Sequence, residues 1–267
     1  MKFYTLATIL FLSFLANAQA NVLERKGKWN FFYGYNRASY SNGDYHLTGN
    51  GYDFTLKNVA ARDGQSEPSL EFLLPWKWSV PQSNLRFGYF ITDNLSISFG
   101  NDHMKYIMRN NQTVGINGTI SGKGAPHDGT YSGSDTKLVD SNLLTFEHTD
   151  GLNFVSVEME HFINLWNNPK KTRALSLYWG PGLAIMYPKT NATLFGGARN
   201  DQFHVSGTGY SLKLGLEYNF TEDFFTRLFI KHGHIDMPDA RTTSSASDNL
   251  SHKFDFKETS IVFGVYF

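Results

Sequence analysis

Cysteine is absent from the 267-residue chain, so no disulfide framework braces it in any compartment. Net charge is absent too. With 24 basic residues against 24 acidic ones, no bulk field selects nucleic acid or acidic substrates. Beyond Leu15 there is no long apolar run, which excludes a helical membrane protein. A soluble all-β domain and a transmembrane barrel survive these exclusions, because the signature of a barrel is alternation and not continuous hydrophobicity.

The one apolar run lies at the start. Met1-Lys2 is basic, LATILFLSFL (Leu6–Leu15) has the length of a signal core, and ANAQA (Ala16–Ala20) offers the small-x-small pattern of a cleavage site. The expectation is a cleaved signal over 1–20 and one exported domain over 21–267. Its removal takes away only Lys2 and leaves the charge close to balance.

Aromatic residues make up 16 % of the chain, with 23 Phe and 14 Tyr, and they fall on alternate positions. Trp29, Phe31, Tyr33 and Tyr35 share one face of WNFFYGYNRASY (Trp29–Tyr40), with Asn30, Gly34 and Asn36 on the other. The same pattern runs through NLRFGYFI (Asn84–Ile91), LSISF (Leu95–Phe99), FVSVEMEHFI (Phe154–Ile163), ALSLYWGPGLAIMY (Ala174–Tyr187), YSLKLGLEYNF (Tyr210–Phe220) and FFTRLFI (Phe224–Ile230). KETSIVFGVYF (Lys257–Phe267) makes eight. It carries Ile261, Phe263, Val265 and Phe267 on one face, and the sequence stops there on an aromatic residue. Period-2 patterning of this kind predicts strands with one apolar and one polar face.

The connections alternate in length. TDN (Thr92–Asn94), NNPKK (Asn167–Lys171) and TED (Thr221–Asp223) are short and rich in turn formers. Long polar segments, about 41–81, 109–151, 188–204 and 238–253, separate the other strands. Short turns on one side and long loops on the other is the outer-membrane pattern. The predicted fold is therefore an all-β, closed antiparallel transmembrane barrel of eight strands, with ten as the alternative. The alternative comes from YHLTGNGYDFTLKNV (Tyr45–Val59), which has β character but two mixed faces; it reads as a strand extension or a hairpin above the membrane. PWKWSVP (Pro75–Pro81) places Trp76 and Trp78 where an interfacial aromatic belt would lie.

In its signal, loops and terminal strand the chain resembles the small eight-stranded bacterial outer-membrane barrels of the OmpA, OmpX and OmpW type. The resemblance implies a Gram-negative outer-membrane location, contact with outer-membrane lipid and lipopolysaccharide, and a monomer. It also implies recognition of Phe263, Val265 and Phe267 by the barrel-assembly machinery. It says little about function, since the architecture hosts anchors, adhesins, narrow channels and lipid enzymes.

The faces opposite the apolar ones carry Arg86, Lys213, Arg227 and Lys231 with Asp102, Glu158, Glu160, Glu217 and Glu258. In a barrel this narrow such charges should pair and plug the lumen. Arg86, Glu158, Glu160, Lys213, Glu217 and Arg227 are the ion-pair candidates, while Lys231, Asp102 and Glu258 are expected at a wet outer rim. Catalytic and metal patterns are weak. His204 and Ser206 share a face, but Glu217 lies roughly 35 Å further along the strand at about 3.4 Å per residue. Asp128, Asp135 and Asp140 lack calcium-loop spacing, and His103, His232 and His234 fall at strand ends. The Asn-x-Ser/Thr triplets at Asn94, Asn111, Asn117, Asn191, Asn219 and Asn249 follow from an Asn-rich composition. The expected function is a non-catalytic outer-membrane protein with surface loops for structure, adhesion or binding. A narrow channel for small or apolar solutes is the alternative, and a lipid-modifying enzyme the second alternative. No cofactor, metal or nucleic-acid partner is expected, and no loop ligand can be named.

Overall fold

The computed structural model describes residues 23–65 and 81–267. The signal segment and the Trp76–Trp78 pair lie outside the described residues. Seventeen strands and no helix occupy them. In chain order these are β1 (Trp29–Tyr40), β2 (Gly43–Gly49), β3 (Tyr52–Val59), β4 (Ala61–Asp63), β5 (Ser83–Thr92) and β6 (Leu95–His103). There follow β7 (Tyr106–Met108), β8 (Gln112–Ile120), β9 (Gly129–Val139), β10 (Leu144–His148), β11 (Phe154–Asn167) and β12 (Ala174–Met186). Last come β13 (Lys189–Leu194), β14 (Asn200–Phe203), β15 (Gly207–Asn219), β16 (Phe224–Arg241) and β17 (Asn249–Tyr266).

The eight alternating segments become β1, β5, β6, β11, β12, β15, β16 and β17, paired antiparallel in that order. Both edges of β1 are occupied, by β5 on one side and by β17 on the other. Along β15 the leucines at 212, 214 and 216 are exposed, while Ser211, Lys213, Gly215 and Glu217 are buried. The alternation that the sequence shows is thus a division between two faces. The outward face carries Trp29, Phe87, Phe99, Val157, Trp179, Leu214, Leu228 and Phe263 on the eight successive strands. An exposed apolar belt of this extent marks a surface built to meet a membrane or a partner.

Local chemistry makes the short connections. Thr92 Oγ1 accepts from the amides of Asn94 (3.2 Å) and Leu95 (3.0 Å). Thr221 Oγ1 does the same for Asp223 (3.2 Å) and Phe224 (3.0 Å), so TDN and TED are the same hydroxyl-stapled turn. The β11–β12 ladder passes from Glu158↔Gly182 to His161↔Trp179, skipping the site where Pro181 has no N–H to give. At the chain end, Phe267 exchanges both backbone hydrogen bonds with Trp29, at 2.8 and 3.0 Å.

The long polar segments differ from the expected loops, because most of their described length is strand. β2 pairs with Asn249–His252 at the far end of β17, and β3, β8 and β9 continue that sheet outward. Tyr45–Val59 is therefore a hairpin that pairs with none of β1, β5 and β6. A second sheet, in the order β14-β13-β10-β7-β4, packs against this extension. Tyr45, Leu56, Tyr106, Phe146, Phe154, Ile235, Phe254 and their neighbours form one buried core between them. This outer cap sits over the end of the eight-strand cycle remote from Trp29.

Candidate functional site

Inside the eight strands, polar side chains are gathered on the buried face by register. Lys213 stands opposite Lys231, and Glu217 opposite Arg227, across β15 and β16. Glu158 lies opposite Gly182, where an added Cβ would meet Glu158 Cγ at 2.8 Å and Ser211 Oγ at 2.9 Å. Glycine there leaves the space that the carboxylate fills.

The ion pairs form one connected cluster. Glu158 accepts from Lys213 (2.5 Å) and Lys231 (2.7 Å) and pairs with Arg86 (3.0 Å). Asp102 pairs with Arg86 at 3.3 Å and also with Lys231. Glu160 pairs with Lys213 and, at 3.5 Å, with Arg227. Glu217 accepts from Arg227 Nε (2.8 Å), from the Tyr266 hydroxyl (2.7 Å) and from Arg25 Nη2 (2.7 Å). Glu258 accepts from Asn84 Nδ2 (2.7 Å) and Ser260 Oγ (2.6 Å). None of these charged residues is more than 2 % exposed.

Lys231, Asp102 and Glu258 thus correct the sequence expectation of a wet rim. Strands β16 and β17 run on for 18 residues each, and the outer cap closes over them, so positions that look terminal in sequence lie in the buried middle. Arg25 was missed altogether. It precedes β1, where no alternation marks it as inward. Its guanidinium nevertheless reaches Glu217 and Ser176 (3.0 Å) and lies over the rings of Phe90 (5.5 Å) and Phe162 (4.9 Å). Around it, Phe32, Phe90, Phe162, Tyr178, Phe225, Phe229, Val262 and Tyr266 form a second apolar cluster. Arg227 sits among four of these rings, 4.6–5.2 Å from the centroids of Phe225, Phe32, Phe162 and Tyr178.

The other sequence candidates do not assemble. His204 Nε2 contacts Asp239 Oδ2 at 2.8 Å, but the Ser206 hydroxyl donates to the His204 carbonyl at 3.3 Å, and Glu217 is engaged with Arg25 and Arg227. His103 Nδ1 meets Asn153 Oδ1 at 3.0 Å, His234 Nδ1 meets Asp255 at 2.8 Å, and His232 is exposed. Asp128, Asp135 and Asp140 each cap the backbone of their own turn, with acceptor distances of 2.6–3.1 Å from neighbouring amides. Among the described residues no group of three or more His, Cys, Asp or Glu is placed to hold a metal ion.

The chain matches no protein-family model and no curated protein. Solved structures do resemble it. The attachment invasion locus protein Ail of Yersinia pestis is 12 % identical over 91 % of this chain and 99 % of its own, with a TM-score of 0.36. Outer membrane protein OprG from Pseudomonas aeruginosa is 10 % identical over 92 % and 99 %, with a TM-score of 0.40. Neisserial surface protein A is 10 % identical over 91 % and 98 %, with a TM-score of 0.41. These neighbours are small outer-membrane β-barrel proteins, the class the sequence resembles.

Proposed function

We propose that the chain is an integral outer-membrane protein: an eight-stranded closed barrel with a plugged, non-conducting lumen that carries a folded β cap outside the cell for binding or adhesion. The observation that carries this reading is the inversion of polarity across the eight strands. Paired charges fill the buried face and large apolar side chains cover the exposed one, which is the arrangement that hydrocarbon outside a narrow barrel demands. The return of the pairing path from β17 to β1 supports closure, since a spanning sheet can leave no edge in lipid. Aromatic packing around Arg25 and Arg227 at one end, the ion cluster in the middle and the capping core at the other leave no continuous water path in this reading. It also makes outer-membrane lipid and lipopolysaccharide the surroundings of the belt, and Phe263, Val265 and Phe267 the residues read by the assembly machinery. No catalytic role is assigned.

Planar-bilayer recording on refolded protein tests the plug, with the same preparation checked for heat-modifiable migration on gels. A folded, shifted band without steady conductance is the expected result. A large ohmic conductance from the folded protein replaces the plugged barrel with a channel.

A further inference from the structure

The outer cap contains a cleft of about 590 Å³ that neither the barrel nor the ion cluster uses. Three connections meet there: residues 121–128 between β8 and β9, 140–143 between β9 and β10, and 195–199 between β13 and β14. Lys123, Pro126, His127, Lys137, Leu138 and Phe195 supply its main walls. The volume lies in the range of small-molecule sites, which are mostly apolar with a few placed polar groups.

Its lysines differ from the paired lysines elsewhere in the cap. Lys57 pairs with Asp44, Lys189 with Asp150 and Asp201, and Lys253 with Asp236. Lys123 and Lys137 have no carboxylate partner among the described residues. The Lys123 ammonium lies over the rings of Tyr52 (5.3 Å) and Phe195 (5.7 Å). Lys137 donates to the Pro126 carbonyl (2.6 Å) and the Tyr131 hydroxyl (2.9 Å), which leaves one of its three N–H groups unspent. Asp140 also lines the cleft, but neither it nor Asp128 forms an ion pair with either lysine. Asp128 accepts from the amides of Lys123 (2.7 Å) and Gly124 (3.0 Å), and Asp140 from those of Asn142 (3.0 Å) and Leu143 (3.1 Å).

Two further features point to an occupant. His127 is 8 % exposed, and its Nδ1 is buried without a hydrogen-bond partner. Burial and the neighbouring Lys137 both hold its pKa below the ordinary histidine range, so the imidazole is neutral at pH 7. Leu138, by contrast, is an apolar wall left 51 % exposed. Phe195 adopts a left-handed φ of 51° as the first central residue of the tight turn between β13 and β14, with Gly196 second at 66° and the Gly197 amide donating to the Leu194 carbonyl at 3.0 Å. Its ring is wedged 5.3 Å from Tyr52 and 5.5 Å from His127.

We propose that this cleft binds a small amphipathic carboxylate, its anionic end between the Lys123 and Lys137 ammonium groups and its flat apolar body on Leu138, Pro126 and Phe195. A monoanion suits two point charges with few donors to spare, and an uncharged body suits the remaining wall. Access from the cell exterior rests on the membrane orientation proposed above, whereas binding by the purified chain does not.

The test is calorimetric titration of the refolded full chain with 2-naphthylacetate and with its uncharged isostere 2-naphthylacetamide. Lys123→Gln, Lys137→Gln, the double variant and Leu138→Ser are measured beside Lys57→Gln, which lies at the Asp44 pair outside the cleft. The acid should bind at least about fivefold tighter than the amide, with each cleft lysine contributing about two- to fivefold. The double variant should lose the preference for the acid, Leu138→Ser should weaken both ligands, and Lys57→Gln should change nothing. Equal binding of acid and amide, a preference that survives in the double variant, or no saturable binding of the acid by folded protein overturns the proposal. Failure of the chain to give a heat-modifiable barrel counts against the membrane reading instead.

Discussion

Replacing Lys213 with Met removes one cation from the buried cluster without changing its volume much, and the structure sets the consequence. Lys213 serves two carboxylates, Glu158 and Glu160. Glu158 keeps Arg86 at 3.0 Å and Lys231 at 2.7 Å, but Glu160 keeps only Arg227 at 3.5 Å. The site is fully buried, so Glu160 becomes a charge almost without compensation. Breaking a buried pair from one side costs about 3–5 kcal/mol, and the same figure is expected here. Adding Glu160→Gln to Lys213→Met removes the orphaned charge along with its partner. The double variant should recover about 2 kcal/mol or more of the loss, as neutral replacement of buried pairs commonly does. Urea unfolding of Lys213→Met, Glu160→Gln, the double variant and the wild type in lipid vesicles, followed by gel shift, gives all four corners of the cycle. A single-variant cost below about 1 kcal/mol, the value of a solvated surface pair, would show water in the cluster. A double variant no better than the single would refute the assignment of Glu160 as the group left unpaired.

Leu214→Arg, at an outward position that is 55 % exposed, should destabilise the barrel by about 2–4 kcal/mol in vesicles, and a spin label at 214 should be accessible to oxygen; shielding of that label would reverse the facing. Gly215→Ala, one residue on, should cost about 1–3 kcal/mol from overpacking, because its Cβ would meet Phe229 Cβ at 2.6 Å and Tyr178 Cε1 at 2.8 Å; equal stability on urea titration would contradict that packing. The outer cap should weaken in acid. His148 and His252 are buried beside Tyr45, Tyr106, Phe146 and Phe254. Burial depresses His148 to about 3 and holds His252 well below the ordinary 6.5, and a charge on His148 would lower His252 further. The unfolded cap takes up these protons first, so stability is fully present above pH 6.5 and falls by up to about 1.4 kcal/mol per pH unit per histidine below it. Hydrogen exchange of the cap amides between pH 7 and 5 should show this loss, and His148→Phe should reduce it to the share carried by His252. Deletion of Val265–Phe267 should lower the level of heat-modifiable protein in the outer membrane, since it removes both backbone hydrogen bonds by which Phe267 closes on Trp29, and Phe267→Ala, which keeps those bonds, should lower it through loss of the exposed terminal ring; unchanged levels would count against an assembly role for these residues.

The strands of the eight-strand cycle were legible because their signal is local. Alternation at Trp29–Tyr35 or Leu212–Leu216 follows from period-2 geometry alone, whatever the strand pairs with, and the Thr-led turns at Thr92 and Thr221 are equally local. Which side chains face inward could therefore be read from the sequence, including Glu158, Lys213 and Arg227. The partners were decided elsewhere. Lys213 and Glu160 are 53 residues apart and Arg25 and Glu217 are 192 apart, and only the order and register of eight strands bring them within reach. The outer cap was illegible for a related reason. Its strands pack one face on the other sheet and leave the other face to water, so residues such as Tyr45, His148 and His252 become core only when two sheets from distant segments meet. Lys231 and Glu258 went the same way, since their burial comes from strands that continue past the apolar belt and a cap folded over their end.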